Sequence, residues 1–130
     1  MDRINSKKGF TLIEVVIAIL IFALGIIGVA KMQAEAVKGN SFSMQVTDGL
    51  NLAQNQLESL MSLPYIHNSL NNGTHNPPGT ASGTGCTYTI TWVVQDDTPV
   101  TGVKQIDVTS SWAEKNVPHS ITISFIRGQP

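Results

Sequence analysis

Lys7-Lys8-Gly9-Phe10-Thr11-Leu12-Ile13-Glu14 opens an apolar run, Val15 to Ala30, in which no further charge occurs. The order is a basic flank, a residue without a side chain, an aromatic, one carboxylate and then a long greasy stretch. Phe10 to Ala30 is 21 residues, which as a helix at about 1.5 Å per residue covers roughly 31 Å, the thickness of a bilayer's hydrocarbon core. Arg3, Lys7 and Lys8 all precede the run. Basic residues stay on the cytoplasmic side of a membrane helix, so the N-terminus is expected inside and the remainder exported.

Glu14 is the anomaly in that stretch. A carboxylate deep in a bilayer costs about 2.5–3.5 kcal/mol and therefore tends to acquire a partner. One reading keeps Glu14 near the interface, within reach of headgroups. The other asks where a matching cation could arise. A cut after Gly9 would give Phe10 a new α-amino group four residues before Glu14, on one helix face and beside the positive end of the helix dipole. The same amine could meet the Glu14 of a neighbouring copy instead.

At these residues the chain resembles a known family. Gly9-Phe10-Thr11-Leu12-Ile13-Glu14, with its short basic leader, is similar to the cleavage and methylation motif of type IV prepilins and type II secretion pseudopilins. The resemblance implies that a prepilin peptidase cuts after Gly9 and N-methylates Phe10, that Lys7 and Lys8 anchor the leader, and that Glu14 registers the subunit during assembly. The partners it implies are that peptidase, other major and minor pilins contacted through helix bundling, the inner-membrane assembly platform and the inner membrane itself. The implied location is single-pass in the inner membrane with a periplasmic domain, then the pilus at the cell surface.

The rest of the chain bounds the function. It has 130 residues, 42% hydrophobic and 13% charged, with formal net charge -1. Setting aside Asp2, Arg3, Lys7 and Lys8 leaves eight acidic against five basic side chains, and a mildly acidic protein without a basic cluster is not expected to bind nucleic acid. His67, His75 and His119 lack ligand spacing, so no metal is expected. No nucleophile–base set, carboxylate pair or phosphate-cradling loop can be assembled, so no enzyme activity, cofactor or small-molecule substrate is expected. Cys86 is the one cysteine, which excludes an intrachain disulfide and departs from the many pilins that staple their C-terminal region. The expectation for it is a small apolar side chain at the start of a strand.

Five segments follow. Residues 1–9 read as a leader and 10–30 as a transmembrane or filament-core helix. Residues 31–63 read as an amphipathic continuation, because Val46, Leu50, Ala53, Leu57, Leu60 and Met61 recur at intervals of three and four. Pro64 stops the helix. Residues 64–85, rich in Asn, Gly, Thr, Ser, His and Pro, read as an exposed loop. Residues 86–130 read as a sheet. Tyr88, Ile90, Trp92 and Val94 alternate with polar neighbours, as do Ile106, Val108, Ser110 and Trp112, and then Ile121, Ile123 and Phe125. About three antiparallel strands with one apolar face need a cover, and the helix stripe is the only supply. The fold class is thus α+β and pilin-like: a long N-terminal helix, hydrophobic in its first half, packed through its second half on a small sheet. Both tryptophans fall on inward positions and read as core.

Leu57 to Tyr65, Tyr88 to Val94 and Lys104 to Trp112 extend the resemblance towards minor pilins of the PilV, pilus-modification, type, with the minor pseudopilin I of type II secretion sharing the layout. The function so implied is a non-catalytic assembly subunit, a minor pilin of a type IV pilus that takes part in a tip or initiation complex. The alternatives are a type II secretion minor pseudopilin and an exported binding domain with a conventional signal peptide, cut after Ala30 or Ala36.

Overall fold

The computed structural model describes residues 9–77 and 80–129. The expected leader therefore lies outside the described residues except for Gly9. A helix α1 runs from Leu12 to Met61, followed by a 3-10 turn at Asn68–Leu70 and strands β1 (Gly73–His75), β2 (Ala81–Ser82), β3 (Thr87–Asp96), β4 (Val103–Glu114) and β5 (Val117–Gly128). The chain divides into two units, residues 1–40 and 41–130.

The second unit has the α+β arrangement that the sequence implies, with five strands in place of three. All pairings are antiparallel, in the order β1-β3-β4-β5, with β2 also on β3. The two extra strands come from the stretch between α1 and the sheet, whose composition carries no alternation. They form because the outer edge of β3 presents unpaired N–H and C=O groups that a short segment can satisfy. β1 takes up that edge at Trp92–Val94 and β2 at Thr87–Tyr88.

Period-two alternation explains the core. Tyr88, Ile90, Trp92 and Val94 of β3 and Ile106, Val108, Ser110 and Trp112 of β4 are buried, and register sets them in rows such as Trp92–Val108–Ile123 and Val94–Ile106–Phe125. The helix meets this face with a stripe offset from the one its large apolar residues suggest. Gln45, Gly49, Ala53 and Leu60 are buried, Val46, Leu52 and Leu57 pack beside them, and Met61 is 43% exposed. Leu50 is half-buried and outside the cluster. The sheet supplies the bulk here. A Cβ on Gly49 would lie 3.0 Å from the Trp112 ring and 3.3 Å from the Tyr88 ring, so the helix turns its smallest residues towards the largest rings.

The segment behind α1 is tied down rather than loose. Leu70 is fully buried, and the Trp92 indole Nε1 donates to the Ser69 carbonyl at 2.8 Å. Lys104 stands on the inner face of β4, where its ammonium donates to the Leu70 carbonyl at 3.0 Å and to Asp96 at 2.6 Å. The Tyr65 ring takes Lys104 on one contact and Arg127 on another, 5.1 and 5.9 Å from its centroid.

A second tie joins Asp48 of α1 to the turn before β3. The Thr84 backbone N–H donates to the Asp48 carboxylate at 2.7 Å, and that bond holds the carboxyl below the usual carboxylate range. A depressed pKa stabilises the fold above the unfolded value and fades as pH falls through the folded one. The Asp48→Asn variant is therefore expected to melt below the wild type at neutral pH, with the gap closing below about pH 4. Thermal melts of both proteins across that range check it.

The turn itself depends on Gly83. A Cβ there would sit 2.5 Å from a ring carbon of Tyr88, which is fully buried, and 3.1 Å from the Asp48 carboxylate. The Tyr88 hydroxyl donates to the Gln45 carbonyl at 3.0 Å, so neither end of that ring yields easily. Gly83→Ala is expected to cost about 1–3 kcal/mol by overpacking, measured by denaturant unfolding.

Candidate functional site

Thr11 precedes the first helical residue, and the Glu14 backbone N–H approaches both the Thr11 side-chain oxygen, at 3.3 Å, and the Thr11 carbonyl, at 3.1 Å. That is an N-cap, and Thr11-Leu12-Ile13-Glu14 has the T-x-x-E order of a capping box. Glu14 thus occupies the third helical position, where a carboxylate faces the unsatisfied N–H groups and the positive end of the dipole. The pattern was readable in the sequence, as a Thr three residues before a Glu ahead of an apolar run.

Phe10, Glu14, Val15, Ala18, Ile19 and Phe22 line one apolar groove along this surface. Phe10 and Glu14 therefore border a common hollow, with the chain at Gly9 and Phe10 outside the helix. Phe10 is 82% exposed, Leu12 84% and Leu24 71%. Its most apolar window is long enough to cross a membrane, and none of that window is buried.

The glycines of this unit have no internal reason to be glycine. A Cβ at Gly9, Gly25 or Gly28 meets nothing within 4 Å, although glycine inside a helix costs about 1 kcal/mol relative to alanine. Gly83 and Gly49 contrast with them, since there the chain itself fills the space.

Lys7 and Lys8 lie outside the described residues. Cys86 is a half-buried thiol against the core, just ahead of β3. The three histidines serve separate local contacts. His67 accepts from the Ser69 N–H, His75 stacks on Trp92 at 5.6 Å, and His119 stacks on Trp112 at 5.7 Å. Among the described residues no group of three or more His, Cys, Asp or Glu is placed to hold a metal ion.

Residues 4–30 match the family model described as the prokaryotic N-terminal methylation motif. This N-terminus is prepilin-like. The matched stretch contains Gly9, Phe10 and Glu14 together with the exposed apolar helix, and it supports a type IV pilin or pseudopilin precursor. Such a motif implies, in general, processing by a prepilin peptidase and assembly with other pilins. The motif and the apolar helix together fit a membrane-anchored pilin. No curated protein and no solved structure matches the chain.

Proposed function

We propose that this protein is a minor pilin of a type IV pilus, of the pilus-modification kind, cut after Gly9 and N-methylated at Phe10. The observation that carries the reading is the bare apolar helix whose head brings Phe10 and Glu14 to one groove. A helix of this kind is satisfied only by lipid or by other helices. Both environments are visited in turn by a subunit that waits in the inner membrane and is then drawn into a filament. Lys7 and Lys8 hold the leader on the cytoplasmic side until the cut. Glu14 neutralises the new ammonium of Phe10, its own or a neighbour's, as the helices bundle. Gly9 is open to solvent, so any requirement for a small residue there comes from the peptidase that grips it. The sheet unit takes no part in chemistry and serves as the exported face, in a tip or initiation complex.

The test is the mass of the native N-terminus. A mature protein beginning with methylated Phe10 supports the reading, and a start at Lys31 or Val37 replaces it with an exported domain behind an ordinary signal peptide. Gly9→Ala is expected to slow the cut, seen as leader-bearing precursor accumulating in membranes. The second reading, a type II secretion minor pseudopilin, shares the same groove and helix. Deleting the gene separates them, because loss of surface pili favours the first and loss of secreted hydrolases the second.

A further inference from the structure

α1 meets the sheet along two stretches of opposite quality. From Leu52 to Met61 every residue except Asn55 and Ser59 is a good helix former. Leu52, Ala53, Leu57 and Leu60 of that stretch pack on the core, and the Leu60 carbonyl receives the Leu63 N–H at 3.3 Å and Arg127 Nη1 at 3.5 Å. From Ser41 to Gly49 the balance is reversed. Only Met44 and Gln45 are good helix formers there. The Thr47 hydroxyl donates to the Ser43 carbonyl at 2.9 Å, a back-bond that weakens a helix. Phe42 and Met44 are exposed, and Gly49 brings no side chain to the sheet.

The surface under this stretch is poorly matched to it. Gln45, Ser110 and Trp112 are each more than nine-tenths buried, yet Gln45 Oε1, Ser110 Oγ and Trp112 Nε1 have no hydrogen-bond partner among the described residues. Ser110 Oγ lies against the bare face of Gly49, 3.4 Å from where a Cβ would stand. Buried polar atoms without partners favour any state in which water reaches them. Two bonds oppose that state. The Thr84 N–H donates to the Asp48 carboxylate, and the Tyr88 hydroxyl donates to the Gln45 carbonyl.

We infer that residues 41–49 of α1 act as a strap that lifts off the sheet and unwinds while residues 52–61 stay packed. Asp48 and Tyr88 are its fasteners. Once off the sheet, weak helix formers no longer favour the helix, so lifting and unwinding go together. The open form gives water to the three unpaired atoms and uncovers Tyr88 and Trp112. The sheet then keeps α1 through Leu52, Ala53, Leu57 and Leu60 alone. The inference rests on the second unit and is independent of whether the leader is cut.

The test is amide hydrogen exchange on the full chain in detergent, resolved for residues 45–49 and 54–60. Protection of the first set is expected to fall about tenfold or more below that of the second. Ser110→Ala deletes one unpaired atom without adding volume, and slows exchange at 45–49 about tenfold. Leu60→Val weakens a contact that the open form keeps. It speeds exchange at 54–60 about fivefold and leaves 45–49 unchanged. Equal protection of the two sets, or acceleration of both by Leu60→Val, overturns the proposal, because α1 then leaves the sheet as one piece. Faster exchange at 45–49 in Ser110→Ala also overturns it, since that hydroxyl would then be holding the strap down.

Discussion

On the proposed reading, replacing Glu14 with alanine leaves the cut after Gly9 intact and lowers incorporation into filaments about a hundredfold or more. The magnitude comes from stranding an ammonium where water is scarce. Removing one member of a buried ion pair costs about 3–5 kcal/mol, and each 1.4 kcal/mol is tenfold in an equilibrium. The capping geometry supplies a control. Glu14 also stands at the third helical position after Thr11, whose side-chain oxygen receives its N–H, so alanine there loses part of the helix start as well. Glu14→Gln keeps the length and hydrogen-bonding capacity of the side chain and removes only the charge. The expected result is that glutamine behaves like alanine in the ratio of sheared-filament to membrane-bound protein. Incorporation restored by glutamine would assign Glu14 to the helix start alone.

The largest loss of stability is expected from Trp112→Ala, about 3–5 kcal/mol. The indole is 5% exposed, with Tyr88 at 5.4 Å and His119 at 5.7 Å between ring centroids, and the bare surface of Gly49 lies against it. Its N–H makes no hydrogen bond among the described residues, so its removal orphans no acceptor and the whole cost is packing. For a domain of this size the loss corresponds to a fall in Tm of roughly 15–30 °C, measured by near-UV circular dichroism on the full chain in detergent. Trp112→Phe retains a ring against Gly49 and is expected to lose much less.

The sequence was legible where physics is local. Alternation placed Tyr88, Ile90, Trp92 and Val94 inward, and placed Ile106, Val108 and Trp112 opposite them, because strand geometry enforces a period of two whatever the neighbours are. The helix face was harder. Hydrophobicity marks Leu50 and Met61 as core, but Gly49 and Gln45 hold those places, since a glycine's value to a buried face lies in the ring it admits. Lys104 was invisible as an inner residue because its role depends on the Leu70 carbonyl and Asp96, which chain order keeps apart. β1 and β2 escaped notice for a related reason. Strands that form only to satisfy another strand's edge need no pattern of their own. At the N-terminus Phe10 and Glu14 were marked by residue type and spacing alone, and the structure adds the cap on Thr11 and the shared groove.

The Tyr65 ring touches two cations that the ribosome delivers at very different times. Lys104 belongs to β4, and Arg127 to β5, the strand after it. The stretch just behind the long helix therefore acquires its last clasp only when β5 has been made. A protein clipped shortly before Arg127 would show its defect at Tyr65, early in the chain, which would keep the Lys104 contact but lose the Arg127 one, while the Leu60 carbonyl would keep the Leu63 N–H.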